Sequence, residues 1–157
     1  MADIDVGLTG GSGYTCRAGY TYVEITNQSN GTGIIDTVTV LSRSSPYGQT
    51  IVIGTLYGTF PSLTGRDTVT IGRGGGTVTG LSLDIEENDY IGHYFNSGYG
   101  NIHLLGVNAS YAVVAGNAFG GTSTYETSEG RLKRVLTLYG SGETVAVGAI
   151  PQMLVSM

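Results

Sequence analysis

The chain is poor in the residues that cross-link a fold or charge its surface. Its 157 residues include one cysteine, no tryptophan and three prolines, and only 12% are charged, against roughly 25% in typical globular domains. The single Cys16 excludes an internal disulfide, so we expect a fold stabilised by packing and compatible with a reducing cytoplasm. The formal net charge of -5 argues against a nucleic-acid partner, because nucleic-acid affinity depends chiefly on Lys and Arg displacing counterions.

A signal peptide and long apolar runs are also missing. The N-terminus, MADIDVGLTGG, has no basic region followed by an apolar stretch, and no segment approaches the length of a membrane span. We therefore expect no membrane partner and a protein that is made in the cytoplasm. If the protein ends outside a cell, something other than a standard signal on this chain takes it there.

Strand and turn patterns are abundant instead. The 27 glycines and clusters of Asn, Ser and Thr separate short segments with the alternation or β-branched composition typical of strands. These segments are residues 3–8, 20–26, 34–42, 51–60, 67–71, 81–95, 102–107, 111–115, 131–139 and 144–157. No segment has a sustained apolar period near 3.6, so we exclude a long helix. The sequence predicts an all-β fold, an antiparallel β-sandwich or a barrel.

Residues 81–95, LSLDIEENDYIGHYF, form the central pattern. Three apolar residues alternate with polar ones, four polar turn formers follow, and an apolar run resumes at Tyr90. This pattern predicts a hairpin or a short arch between two sheets. The residues expected to be buried between the sheets are Leu83, Ile85, Ile91, Val38 and Leu136.

One domain of ordinary size accounts for the chain. We divide it into residues 1–13, an N-terminal arm or first strand, residues 14–143, the β-sandwich, and residues 144–157, an apolar C-terminal strand or docking tail. The apolar side chains of the tail must be buried, either against the sheet of the same chain or against a neighbouring subunit. The candidate subunit contacts are Val145, Val147, Ile150, Met153, Leu154 and Val155.

Carboxylates are the first candidates for chemistry. Glu86, Glu87 and Asp89 are close enough in sequence to bind calcium or to act as an acid and base pair. An acidic turn needs only solvent, however, so these three are weak metal candidates. Asp3 and Asp5, a D-x-D pattern near the terminus, receive the same interpretation.

Other residues give no catalytic pattern. His93 and His103 have neither metal-ligand spacing nor a neighbouring nucleophile motif, and we expect each to be a surface or partly buried side chain. Asn27-Gln28-Ser29 and Asn30-Gly31-Thr32 fit the N-glycosylation pattern, which a chain rich in Ser and Thr also produces by chance. We predict that the protein is not an enzyme and has no cofactor.

A surface for sugars is the alternative interpretation. Residues 116–130, GNAFGGTSTYETSEG, have no apolar period and form the longest predicted loop, and such loops are often functional. Aromatic rings in loops can stack on sugars or contact protein partners. The candidate ligand-binding residues are therefore Tyr47, Tyr99, Phe119 and Tyr125, although a half-buried strand position explains most tyrosines of the chain.

Several segments resemble known proteins. The pattern L-S-L-D-I-E-E-N-D-Y-I-G, from Leu81, resembles a strand, turn and strand of TNF-like and C1q-like jelly rolls, with Asn88 in place of a glycine. GTLYGTF, RDTVTIG and LTLYGSGE resemble small β-sandwich proteins of tailed phages. The resemblance implies a virion or appendage component: a capsid decoration, a head fibre or a tail-associated subunit. Its implied partners are copies of itself, with a trimer as one candidate, and other structural proteins; glycans are the partners in the carbohydrate-binding alternative.

Overall fold

The structure is a computed structural model, and it describes residues 3–7, 13–15, 19–40, 42–43, 50–71, 76–95, 101–106, 111–127, 134–136 and 138–145. Within these ranges the regular elements are all β-strands. They are β1 (Asp3–Gly7), β2 (Gly13–Thr15), β3 (Tyr20–Glu24), β4 (Gly33–Val40), β5 (Ser42–Arg43), β6 (Ile51–Thr59), β7 (Ser62–Ile71), β8 (Gly76–Val78), β9 (Leu83–Ile85), β10 (Tyr90–Tyr94), β11 (Asn101–Gly106), β12 (Tyr111–Ala115), β13 (Thr122–Thr124), β14 (Glu126–Thr127), β15 (Arg134–Leu136) and β16 (Leu138–Thr144). All the pairings between them are antiparallel. The predicted all-β antiparallel fold without a long helix is therefore confirmed.

The first sheet has five strands in the order β1-β16-β4-β8, and β9 also pairs with β4. Strand alternation turns Ile4, Val6 and Leu138 to its buried face, while Asp3 and Glu143 remain exposed on the other. The N-terminal segment is thus a strand of this sheet at residues 3–7, paired along its whole length with β16.

The second sheet has seven strands in the order β13-β7-β6-β10-β3-β12-β14. Its two outermost strands are almost continuous in sequence, because only Tyr125 separates β13 from β14. β13 pairs with β7 at one edge of the sheet, and β14 pairs with β12 at the other. Residues 122–127 therefore join the two edges and nearly close the sheet into a barrel, which we call the barrel below.

Two apolar cores follow from this arrangement. The first lies between the five-stranded sheet and the outer face of the barrel, and it contains Val38, Leu83, Ile85 and Ile91, each at most 2% exposed. These four burial predictions are confirmed, whereas the Leu136 side chain lies outside the described residues. The second core fills the barrel; its members are Val23, Leu56, Leu63, Tyr90, Ala112, Ala118, Phe119 and Tyr125.

Residues 81–95 form the arch and not the hairpin of the two predicted alternatives. β9 pairs with β4 in the five-stranded sheet, whereas β10 lies between β6 and β3 in the barrel. The turn between them contains Asn88, the one described non-glycine residue with a positive φ, at 71°. Asparagine tolerates the left-handed region better than most residues, so it can stand where the resembled pattern has glycine.

Two predicted loops are wrong. Residues 61–66 were expected to turn, but β7 begins at Ser62 and only Phe60 and Pro61 separate it from β6. Residues 116–130 were expected to be one loop without apolar pattern, but residues 122–127 pair with strands at both barrel edges. Both segments were predicted as loops because they are polar. A strand can be polar, however, when its neighbouring strands supply the apolar side chains of the core.

The outer edge of β1 is covered by the turn at residues 27–30. The amide of Asn30 accepts a hydrogen bond from Asp5 N–H at 2.8 Å and donates one to the Asp3 carbonyl at 3.2 Å, and Asn30 N–H donates to the Asp5 carbonyl at 3.4 Å. Gly7 N–H donates to the Asn27 carbonyl at 3.0 Å, and Asn27 Nδ2 donates to the Gly7 carbonyl at 3.0 Å. The backbone groups that β1 turns away from β16 are thus used within the chain.

A smaller sheet of four strands completes the described architecture. β11 pairs with β15, β2 and β5. A membrane-spanning helix does not occur in the described part of the chain.

Candidate functional site

A polar cleft on the solvent-facing side of the five-stranded sheet is the candidate site. It has a volume of about 410 Å³ and is lined by residues of β1, β4 and β16, namely Asp3, Ile4, Asp5, Asp36, Tyr139, Ser141, Gly142 and Glu143. The register explains why the polar members meet, because Asp3 lies opposite Glu143 and Asp5 opposite Ser141. Alternate residues of two paired strands face the same side of a sheet, so these side chains converge.

Asp36 joins them through an irregularity in β4. The register of β4 against β16 shifts between Ser141 and Gly142, so that Thr37 and Ile35 have partners and Asp36 is the extra residue. Such a bulge redirects a side chain, and Asp36 is exposed although Ile35 beside it is fully buried. The bulge is held by the Asp36 carbonyl, which accepts a hydrogen bond from Leu81 N–H at 3.0 Å.

The electrostatics of the cleft are negative. Within the described ranges, none of its four carboxylates forms an ion pair with Lys or Arg. Tyr139 Oη donates a long hydrogen bond of 3.4 Å to Asp5 Oδ2. Partial burial raises the pKa of the Tyr139 hydroxyl, and the negative charges of Asp5 and Asp3 raise it further. The cleft thus offers carboxylates that accept hydrogen bonds beside one aromatic ring, a combination suited to hydroxyl-bearing or cationic groups.

The second acidic cluster, at the arch, is occupied from within the chain. Arg66 on β7 donates from Nε to Asp89 Oδ2 at 2.5 Å and from Nη2 to Oδ1 at 3.2 Å, while its Nη1 lies 3.2 Å from Glu86 Oε1. Asp89 also accepts the Glu86 N–H at 2.9 Å and is only 2% exposed. The guanidinium therefore takes the place that a cation would need beside Asp89, and it stacks on Tyr57 with its Cζ 4.6 Å from the ring centroid.

Glu87, the third weak metal candidate, is exposed, and its N–H donates to Thr32 Oγ1 at 3.0 Å. Among the described residues there is no group of three or more His, Cys, Asp or Glu side chains that could hold a metal ion. Arg66 thus pairs with two of the three carboxylates of the arch, Glu86 and Asp89.

The two described residues among the expected sugar-stacking set are buried. Phe119 is 7% exposed and Tyr125 2%, and both belong to the core inside the barrel. Burial raises the pKa of Tyr125 to about 12, and its hydroxyl has no hydrogen-bond partner in the described structure. The proposal that these two rings form an exposed platform is therefore wrong, because the segment that carries them closes the barrel. Tyr47 and Tyr99 lie outside the described residues.

The C-terminal tail is described only at its beginning. Val145 is 45% exposed, and its N–H donates to the Thr32 carbonyl at 3.1 Å. Val147, Ile150, Met153, Leu154 and Val155 lie outside the described residues, so the choice between a final strand and a subunit contact stays a prediction.

The D-x-D pattern of the sequence marks Asp3 and Asp5, two of the four carboxylates of the cleft. No local pattern connects Asp36, Tyr139 or Glu143 with them. The alternation in LYGSGE places Tyr139, Ser141 and Glu143 on one face, yet only the pairing of β16 with β1 brings that face beside Asp5. The chain matches none of the protein-family models, curated proteins or solved structures with which it was compared.

Proposed function

We propose that the protein is a non-enzymatic structural component of a virion or another extracellular assembly, such as a capsid decoration, head fibre or tail-associated subunit. The observation that carries the proposal is the closure of strand edges. The turn at residues 27–30 covers β1, and residues 122–127 join the two edges of the barrel. Subunits packed at high local concentration must avoid uncontrolled strand pairing, and covered edges meet that need.

A second edge is protected in the same manner. Asp84 in β9 donates its N–H to Asp67 Oδ2 at 2.8 Å, and its carbonyl accepts a hydrogen bond from Thr55 Oγ1 at 2.7 Å. The side chains of β6 and β7 thus use the groups that β9 would offer to another strand. Contacts in the assembly are then made by sheet faces and by the tail at residues 144–157, between copies of the chain and with other structural proteins. The resemblance to phage β-sandwiches and to TNF-like jelly rolls belongs to this proposal, including a trimer as the candidate oligomer.

Size-exclusion chromatography with light scattering, together with electron microscopy of the native source, tests the proposal. We expect a defined oligomer and density for the chain in a particle or filament. A strict monomer that is absent from every particle would refute it.

Deletion of residues 152–157 tests the tail separately. If the tail contacts a neighbouring subunit, the shortened chain keeps its fold and loses its assembly. If the tail is the last strand of its own core, the shortened monomer unfolds instead. Size and melting temperature, measured on the same sample, distinguish the two outcomes.

A carbohydrate-binding domain is the second candidate function, and the cleft favours it. Sugar hydroxyls donate well to carboxylates, and Tyr139, which contacts Asp5, lines the same cleft as Asp36. A glycan array tests this function, with Tyr139→Ala and Asp36→Asn as cleft variants. Glu126→Gln, an exposed carboxylate of β14 outside the cleft, is the matched control.

Saturable binding that both cleft variants abolish and the control keeps would support the carbohydrate function. Tyr99→Ala tests the sequence-derived platform in the same assay. A folded protein that binds no glycan on the array would remove this candidate.

A further inference from the structure

His93 on β10 is a buried titratable residue that neither proposed function uses. Its side chain is fully buried, and its ring stacks between Tyr22, with centroids 5.4 Å apart, and Phe95, with centroids 5.8 Å apart. Both stacking partners belong to the core between the five-stranded sheet and the barrel. The expectation of a surface or partly buried histidine is therefore wrong for His93, whereas the His103 side chain lies outside the described residues.

The two ring nitrogens make this burial costly. A neutral imidazole carries one donor and one acceptor, and neither Nδ1 nor Nε2 of His93 has a hydrogen-bond partner in the described structure. An unsatisfied neutral ring already opposes burial, and a protonated ring opposes it much more strongly. Burial accordingly lowers the pKa of His93 from 6.5 to about 3.

In the described part of the chain, no charged side chain pairs with the His93 ring. Among the described side chains, the five-stranded sheet presents apolar residues to this core: Ile4, Val6, Ile35, Val38, Val40, Leu83, Ile85 and Leu138. The barrel strands present Tyr20, Tyr22 and Tyr111, which stay neutral in acid, and two carboxylates. These are Glu24 of β3 and Asp67 of β7, and Asp67 Oδ2 accepts a hydrogen bond from Asp84 N–H of β9 at 2.8 Å. Asp3 and Asp5 lie on the opposite face of the five-stranded sheet, in the cleft.

Glu24 is the one carboxylate on the same face of β3, and it is turned to its own loop. It accepts hydrogen bonds from Thr26 N–H at 2.8 Å, from the Thr26 hydroxyl, and from Asn27 N–H at 3.0 Å. Burial raises the pKa of Glu24 despite these bonds. A carboxyl whose pKa is raised on folding stabilises the fold when the pH falls, so Glu24 acts in the opposite sense to His93.

We propose that His93 is an acid-sensitive lock between the five-stranded sheet and the barrel: when its ring takes up a proton, the sheet separates from the outer face of the barrel while the barrel interior stays packed. Two separate cores make this partial opening feasible, because the core inside the barrel contains Phe119 and Tyr125 and does not include the stacked ring. The lock is independent of whether the protein belongs to an assembly or binds sugars.

The folding equilibrium measured against pH is the first test. Between pH 6.5 and about 3, His93 binds fewer protons in the folded chain than in the open chain. The free energy of opening is therefore highest above pH 6.5, and it decreases as the pH falls through this window. One proton corresponds to a tenfold change in the equilibrium constant per pH unit. We expect urea titrations of His93→Phe to lack this tenfold dependence, while His103→Phe, the matched control at the other histidine, retains it.

Hydrogen exchange and NMR locate the event in the unmodified protein. At pH 4, after correction for intrinsic exchange rates, we expect β1 and β16 of the five-stranded sheet to lose protection and the barrel strands β6, β7 and β10 to keep it. A uniform loss of protection would overturn the proposal. If His93→Phe does not fold, NMR titration of the wild-type ring decides: a ring that protonates near pH 6.5 in a chain with unchanged protection would equally overturn it.

Discussion

Phe119, which the sequence predicts as a sugar-stacking residue of a loop, lies in the core inside the barrel. The ring is 7% exposed and lies directly over Gly54 of β6, where a Cβ atom would come within 2.4 Å of its Cδ1 and Cε1 atoms. The Phe119 main chain is equally close to Gly65 of β7, where a Cβ atom would lie 2.0 Å from the Phe119 carbonyl oxygen. Two glycines on neighbouring strands thus make the space that one phenylalanine fills.

Truncation of Phe119 to Ala should therefore cost about 3–5 kcal/mol, the usual range for a buried phenylalanine. For a domain of this size that loss lowers the melting temperature by roughly 6–20 °C. Tyr57→Ala is the control, because its ring is 42% exposed and its stacking on Arg66 is worth about 0.5–1 kcal/mol. Differential scanning calorimetry measures both variants.

A double-mutant cycle with Gly54→Ala tests the geometry directly. In the wild type the added methyl group meets the ring, and overpacking of this kind costs about 1–3 kcal/mol. In the Phe119→Ala background the ring is gone, so the same methyl group should be neutral or stabilising, since glycine in a strand is about 0.5–1 kcal/mol worse than alanine. Additive effects of the two substitutions would refute the contact. A Phe119→Ala protein that melts normally but has lost glycan binding would restore the exposed platform.

Other predictions concern the polar contacts. Arg66→Ala leaves the Asp89 carboxylate buried without its cation and should cost about 2–3 kcal/mol of stability. This is below the range for fully buried pairs because the arginine side chain is 21% exposed. A melting temperature within error of wild type would contradict this prediction. Glu87→Gln should leave the effect of calcium on the melting temperature unchanged, and a smaller effect in this variant would return the arch to its metal-site interpretation. Asn30→Asp removes the donor to the Asp3 carbonyl and should cost about 1 kcal/mol, with faster hydrogen exchange at Asp5; unchanged exchange there would show that the edge is held by other groups.

The part of the fold that the sequence predicts is the part encoded by neighbouring residues. Leu83 and Ile85 alternate with exposed neighbours, so their strand and their burial follow from a period of two. Ile91 is buried in the same core, but residues 81–95 alone do not determine whether β9 and β10 pair in one sheet or belong to two different sheets. That choice depends on β4 and β3, which lie more than 40 residues away.

The part that sequence reasoning missed depends on distant pairing. β1 and β16 meet across almost the whole chain, so no local pattern indicates that Asp5 and Tyr139 share a cleft. The closing segment, TSTYET, has only one aromatic residue to mark it as a strand, and Tyr125 is buried there because the barrel surrounds it. The bulge that exposes Asp36 arises from a register shift against β16 and has no signal of its own in β4.

The covered edges restrict how copies of this chain can associate. A strand added beside β1 would have to displace Asn27 and Asn30, which satisfy the carbonyls of Asp3, Asp5 and Gly7. Breaking those bonds without replacing each of them leaves unpaired main-chain groups, at about 1–3 kcal/mol for each one that is buried. Strand addition at this edge is therefore disfavoured in comparison with contacts between sheet faces. The exposed start of the tail at Val145 is hydrogen-bonded to Thr32, next to the turn that covers β1. Asn30→Asp should therefore loosen the edge of the monomer without weakening an oligomer that is held by sheet faces, and light scattering of the variant and the wild type at equal concentration measures this.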